Sequence, residues 1–205
     1  MSGVSGDQVE VGDAPAQTVE AVDDAVSQAD LVALTEQLGR DPRGVIAIAH
    51  RCPCGRPDVV RTAPRLPDGT PFPTTYYATC PRLTSAISTL EGQGLMRAMQ
   101  DRLATDDGLA AAYVCAHERY LADRAELGEV AEIAGVSAGG MPTRVKCLHV
   151  LVAHSLAAGP GVNPLGDEAL VALQPWWTPT TCAHPRPDAP PSARDLSVSA
   201  PEELP

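Results

Sequence analysis

The chain is poor in lysine and in aromatic residues. Its 205 residues include one Lys, one Phe, two Trp and four Tyr. So few rings argue against the stacking platforms that hold single-stranded nucleic acid. Fourteen Arg stand against the single Lys146, alongside plentiful Ala, Gly and Pro. That is the bias of a GC-rich genome more than a selection for bidentate phosphate contacts. No apolar run approaches the roughly 20 residues that cross a bilayer. The N-terminus has no basic region followed by an apolar core, so no secretory signal is expected and the reading is cytoplasmic. The phosphate-cradling pattern G-x-x-x-x-G-K-[ST] and the dinucleotide pattern G-x-G-x-x-G are missing. His117-Glu118 begins like the zinc-protease H-E-x-x-H, but position 121 is Leu. No internal repeat is evident.

The charge that is present sits at the ends. Residues 1–29 hold six acids and no Lys or Arg, and 178–205 hold four acids against two Arg. That leaves −3 of the net −11 for residues 30–177. This distribution serves solubility and does not mark an acidic binding face. The expected organisation is a disordered acidic tail over 1–29, one globular domain over 30–177, and a Pro-rich disordered tail over 178–205.

Within the domain, Asp30 is placed to cap a short helix through Leu31, Leu34 and Leu38, closed by Gly39. Gly44–His50 and Asp58–Thr62 read as strands joined by the turn Cys52-Pro-Cys-Gly-Arg-Pro57. A third strand is expected within 71–79, with Pro71 and Pro73 confining its start to an edge. After Cys80-Pro81 the apolar period becomes helical: Leu83, Ile87, Leu90, then Leu95, Met99, Leu103, with Gly92 and Gly94 able to split the run. Asp106 or Asp107 can cap a further helix carrying Tyr113, Ala116 and Tyr120. Gly139-Gly-Met-Pro-Thr-Arg-Val-Lys-Cys-Leu-His-Val-Leu-Val-Ala-His154 is the stretch around which the chain is organised. Pro142 suits the first position of a helix, and the residues after it are apolar almost all round, as in a central buried helix over about 142–158. Asp167 is placed to cap a last short helix. The predicted fold class is α+β: a small antiparallel sheet of about three strands against four to six helices.

Three constellations could carry chemistry. Arg144 and Lys146, in the expected first turns of the central helix, stand beside free backbone N–H groups and suit an anion. Arg51 and Arg61 belong to an Arg-rich segment that could join them, with His149, around a phosphate-bearing ligand. The alternative is that these cations are solvated on a sheet edge and a structural helix. The second constellation is metal binding, as zinc or an iron–sulfur centre, through Cys54, Cys80 and Cys147; Cys52-x-Cys54 is shorter than the usual zinc spacing. Cys182-Ala-His184 lies in the C-terminal tail. On one straight helix Cys147 and His154 lie about 10.5 Å apart along the axis, too far for one ion. The third is nucleophilic catalysis by Cys147 beside Lys146 and His149. Inside a helix, however, a partner two residues on points to the other side.

The segments R-L-P-D-G-T-P-F-P-T (65–74), Y-Y-A-T-C-P (76–81), G-M-P-T-R-V-K-C-L-H-V-L-V-A-H (140–154) and G-V-N-P-L-G-D (161–167) resemble an uncharacterised bacterial family, domain of unknown function 501. The resemblance covers roughly 32–176. It implies no reaction and no catalytic residue. It implies a high-GC Gram-positive source, in agreement with the Arg and Ala bias. It also implies gene neighbours of septum-formation and exopolyphosphatase type, hence a phosphate-bearing small molecule or a cell-division or polyphosphate-related protein as partner. Two functions follow as expectations. One is a non-catalytic binding or regulatory protein for an anionic ligand or a protein partner. The other is a small enzyme on an anionic or phosphorylated substrate, assisted by a Cys/His-bound metal.

Overall fold

The computed structural model describes residues 25–173 and 175–177. Most of both expected tails, Cys182 and His184 included, lies outside these residues. The first helix, α1 (Gln28–Leu38), is started by a capping box. The Ser27 hydroxyl accepts from the Asp30 N–H at 3.1 Å, and the Asp30 carboxylate accepts from the Ser27 N–H at 3.1 Å. Asp30 is therefore the third helical residue and not the cap expected from sequence, because Ser27 supplies the reciprocal partner. Gly39, left-handed at φ 66°, ends the helix as expected.

Three strands, β1 (Val45–Arg51), β2 (Pro57–Thr62) and β3 (Tyr76–Ala78), form an antiparallel sheet in that order. Central β2 is buried along its whole length. Its alternation divides the interior: Val60 joins Leu34 and Ile48 under α1, while Val59 faces the main core. β3 is shorter than the 71–79 expected. Pro71 and Pro73 cannot donate to a ladder, and the segment before β3 is tied back by Phe72 N–H to Pro64 C=O (2.8 Å) and Thr62 N–H to Thr75 C=O (2.8 Å).

Helices α2 (Pro81–Gly92) and α3 (Leu95–Leu103) are separated at Gln93-Gly94, where Gly94 takes φ 87°. Asp106 caps α4 (Asp107–Ala125) by accepting from the Leu109 N–H at 2.9 Å. A 3-10 turn at Ala131–Ile133 precedes α5 (Leu148–Ala158) and α6 (Pro164–Ala172). Asn163, not Asp167, caps α6, and Pro164 takes the first-turn position. Among the described residues the α+β expectation holds, with one three-stranded sheet and six α-helices.

The central helix is buried as expected but begins at Leu148, six residues later than its Pro142 signal. Residues 139–147 form a turn structure. Arg144 N–H bonds Gly140 C=O (2.9 Å) and Lys146 N–H bonds Gly139 C=O (2.8 Å). The turn is anchored by partners distant in sequence: the Tyr113 hydroxyl donates to Arg144 C=O (3.1 Å), and Gln100 accepts from the Val145 N–H (2.9 Å). Gly140 sits at φ 95°, and a Cβ there would stand 2.7 Å from the Arg144 carbonyl oxygen. α5 then packs on β3, α2 and α6. The approach of α6 is close enough that a Cβ on Gly166 would collide with the Leu151 carbonyl and the Ser155 hydroxyl. No helix among the described residues is long and apolar enough to cross a membrane.

Candidate functional site

The late start of α5 creates the site. Cys147 is the N-cap, in extended conformation (φ −158°, ψ 115°), so the roughly 200° separation of residues two apart on a helix does not apply to it. Its sulfur lies 3.7 Å from Nδ1 of His149. The same ring nitrogen lies 3.2 Å from Oε1 of Glu91, in the last turn of α2. That carboxylate oxygen also accepts from the Leu148 N–H at 2.7 Å. Glu91 thus closes the first turn of α5, where backbone N–H groups favour negative charge. At this helix start a carboxylate of the chain itself takes the Leu148 N–H.

The ring is fixed from its other side. Nε2 of His149 is 3.2 Å from Thr84 C=O and 3.4 Å from the Ser88 hydroxyl. A carbonyl can only accept, so Nε2 carries a proton. Thr84, Ser88 and Glu91 follow one another along one face of α2 at helical spacing. Sulfur, ring nitrogen and carboxylate oxygen all lie within 4.8 Å of one another, each residue half-buried.

Cys147 and His149 line a cavity of about 440 Å³ between the end of α1, β3 and the starts of α2 and α5. Among the described residues its wall carries no Asp, Glu, Lys or Arg. Tyr76, Tyr77, Leu38 and Val150 supply apolar surface, and Gln37 and Thr79 supply polar groups. Burial pushes the Cys147 thiol up, but the His149 ring and the nearby Val150 N–H outweigh it, and the thiol sits below its ordinary value. His149 is raised to about 9, mainly by the Cys147 sulfur and then, against burial, by the Glu91 charge.

The other sequence-derived candidates lie elsewhere. Arg144 and Lys146 are exposed on the 139–147 turn and do not line the cavity. Arg51 grips both oxygens of Asp30 (2.7 and 3.1 Å), joining β1 to α1. Arg61 is buried, bonded to the Glu126 carboxylate (2.7 Å) and the Asp123 carbonyl, joining β2 to α4. Cys54 is in the β1–β2 turn and Cys80 is the buried N-cap of α2. Among the described residues, neither belongs to the cluster of Cys147, His149 and Glu91.

Glu91 was missed from sequence. The available signal was a carboxylate in the last turn of a helix, where it opposes the macrodipole. Gly135-Val-Ser-Ala-Gly139 spells G-x-S-x-G, a word wrongly counted as absent on reading the sequence. Ser137 pairs with Nδ1 of His117 at 2.9 Å and lies 3.3 Å from Met141 C=O. The motif's mechanical context is a strand running into a sharp turn and a helix. Here it lies between a 3-10 turn and the 139–147 turn. Ser137 is buried and, among the described residues, no carboxylate hydrogen-bonds to the His117 ring.

A family model described as "Protein of unknown function (DUF501)" matches residues 48–171, which include Glu91, Cys147 and His149. No curated protein and no solved structure matches.

Proposed function

The chain belongs to the DUF501 family of proteins of unknown function, and we propose that it is a small enzyme whose chemistry is run by Glu91, Cys147 and His149. One observation carries this reading. Three side chains of different chemistry, from two helices, converge half-buried, and two of them form the wall of a cavity large enough for a small molecule. A plain binding site needs complementary groups spread over its ligand. A reaction centre needs groups that act on one atom, and these are aimed at one point.

The lining supports a substrate that is uncharged at its recognised part. His149 is the cavity's only cationic group among the described residues. Polar chemistry at a carbonyl, as in hydrolysis or group transfer of an ester, thioester or amide, suits a sulfur, an acid–base ring and a carboxylate. A reducing cytoplasm, where Cys147 stays a thiol, is the setting this proposal requires. The experiment is a panel of chromogenic esters, thioesters and amides, with phosphate monoesters for comparison, run on wild type, Cys147→Ala and His149→Gln. Turnover of a neutral acyl substrate that falls about a hundredfold in both variants is expected. Turnover that survives Cys147→Ala unchanged would refute the assignment.

A binding role for an anionic ligand rests on Arg144 and Lys146, both exposed on the 139–147 turn. A phosphate-bearing small molecule, or a division- or polyphosphate-related partner, would then lose affinity in Arg144→Ala and keep it in Cys147→Ala.

A further inference from the structure

We infer that Glu91, Cys147 and His149 are the protein ligands of a divalent metal ion of zinc type, with a further coordination position open to the cavity. This rests on the reading of the cluster as a reaction centre and changes the roles within it: the sulfur, ring and carboxylate would hold the ion, and the ion would supply the polar chemistry at the carbonyl.

One ring nitrogen faces two donor atoms of different chemistry. Thr84 C=O holds the proton on Nε2, which leaves Nδ1, 3.7 Å from the Cys147 sulfur and 3.2 Å from Glu91 Oε1, as the ring atom that a metal ion would take in place of a proton. A proton on Nδ1 has one direction and cannot be well aligned to both. A dication serves all three atoms at once.

The spacing fits. Bonds of about 2.0–2.3 Å at tetrahedral angles set donor atoms roughly 3.3–3.7 Å apart, close to the two separations from Nδ1, and the sulfur and carboxylate oxygen lie within 4.8 Å of each other. The outer partners also fit. A ligating histidine usually donates its other N–H to a carbonyl or carboxylate, and a ligating carboxylate is itself hydrogen-bonded. Thr84 C=O and the Leu148 N–H (2.7 Å to Oε1) fill those two roles.

The donor set selects the metal. Thiolate, imidazole and carboxylate together suit zinc, whereas magnesium and calcium take oxygen ligands. An iron–sulfur cluster calls for several thiolates, and this cluster has one. Three protein ligands are the pattern of catalytic zinc, with the remaining position left to water or substrate. Cys147 and His149 line the cavity, so that position faces the space a substrate would occupy. An ion there would polarise a carbonyl or lower the pKa of bound water.

The test uses the full chain, stripped by chelator and titrated with Zn²⁺ and separately with Co²⁺. Wild type should take up zinc at the site with sub-micromolar affinity and show a thiolate-to-cobalt charge-transfer band. Cys147→Ala should lose that band and one equivalent of metal, while Cys115→Ala, altered at an exposed thiol on α4, keeps both. Glu91→Gln and His149→Gln, checked for folding by circular dichroism, should each weaken zinc binding by roughly a hundredfold or more, since loss of an outer partner alone costs about ten- to a hundredfold. Folded wild type that takes up no zinc at micromolar free metal would overturn the inference. So would a Cys147→Ala protein with undiminished metal and band. The two proposals fail separately. Turnover that persists in chelator yet disappears in Cys147→Ala overturns the metal and leaves the enzyme. Metal bound with no turnover on any substrate leaves the site and removes the proposed reaction.

Discussion

Two histidines on one helix, five residues apart, have opposite surroundings. His149 is in the first turn of α5, its side chain 28% exposed, facing a sulfur and a carboxylate. His154 is fully buried. It stacks on Tyr76 (5.7 Å between centroids) and meets Tyr120 edge-on (5.1 Å). Its Nδ1 accepts from the Asn163 amide at 3.2 Å. His149 is raised to about 9 by the hydrogen bond with the Cys147 sulfur and by the Glu91 charge, against burial. His154 is lowered to about 4, chiefly by burial, with Arg119 adding to the effect and Asp123 and Asp167 opposing it. The helix is the same, so neighbours decide. Where the helix starts, partners from another element reach the ring. In its middle, aromatic packing leaves the ring no counter-charge at hydrogen-bond distance.

The largest expected effects lie on the buried side. His154→Ala removes a ring packed against two tyrosines and should cost about 2–4 kcal/mol in denaturant unfolding. Acid should act through the same residue. Below about pH 6.5 the unfolded chain takes up a proton that the folded ring refuses until about pH 4. Stability therefore falls as pH drops between those values, and this residue contributes no slope above them. The shift corresponds to about 3 kcal/mol. His154→Gln should flatten that part of the pH profile, and an unchanged slope would show that other groups set it.

Smaller effects belong to the helix start. In metal-free protein near pH 7, Cys147 should react with iodoacetamide about tenfold faster than Cys115, and His149→Gln should erase the difference. Peptide mapping of the alkylated thiols reads both. Glu91→Gln keeps an acceptor for the Leu148 N–H but loses the charge at the helix terminus, and should cost about 1 kcal/mol or less. Arg144→Ala, on the exposed turn, should shift stability by no more than about 0.5 kcal/mol.

Much of the fold was legible because its signals are local. Alternation and β-rich composition marked β1 and β2, helical period marked α2 to α4, and Gly94 and Asp106 marked their breaks and caps. The rule that proline opens a helix failed at Pro142, where the chain continues in a turn, and Pro164, read as part of a loop before Asp167, opens α6. Two of the three candidate residues were legible as well. Cys147 and His149 were singled out, but assuming a helix through both turned their side chains apart. Their partner Glu91 was not found, since it stands more than fifty positions earlier.

The sequence by itself determined an α+β domain with a small sheet, a helix apolar on all sides at its centre, and membership of its family. Those properties follow from periodicity, composition and short words, which need no knowledge of distant residues. Only the tertiary structure decided where α5 begins. That choice depends on Tyr113, Gln100 and Glu91, which come from three other helices and satisfy polar groups of the turn and of the first helical residue. It also decided that Arg51 and Arg61 join structural elements while Cys147, His149 and Glu91 meet beside a cavity. Convergence in space is a property of packing, and the order of residues along the chain does not carry it.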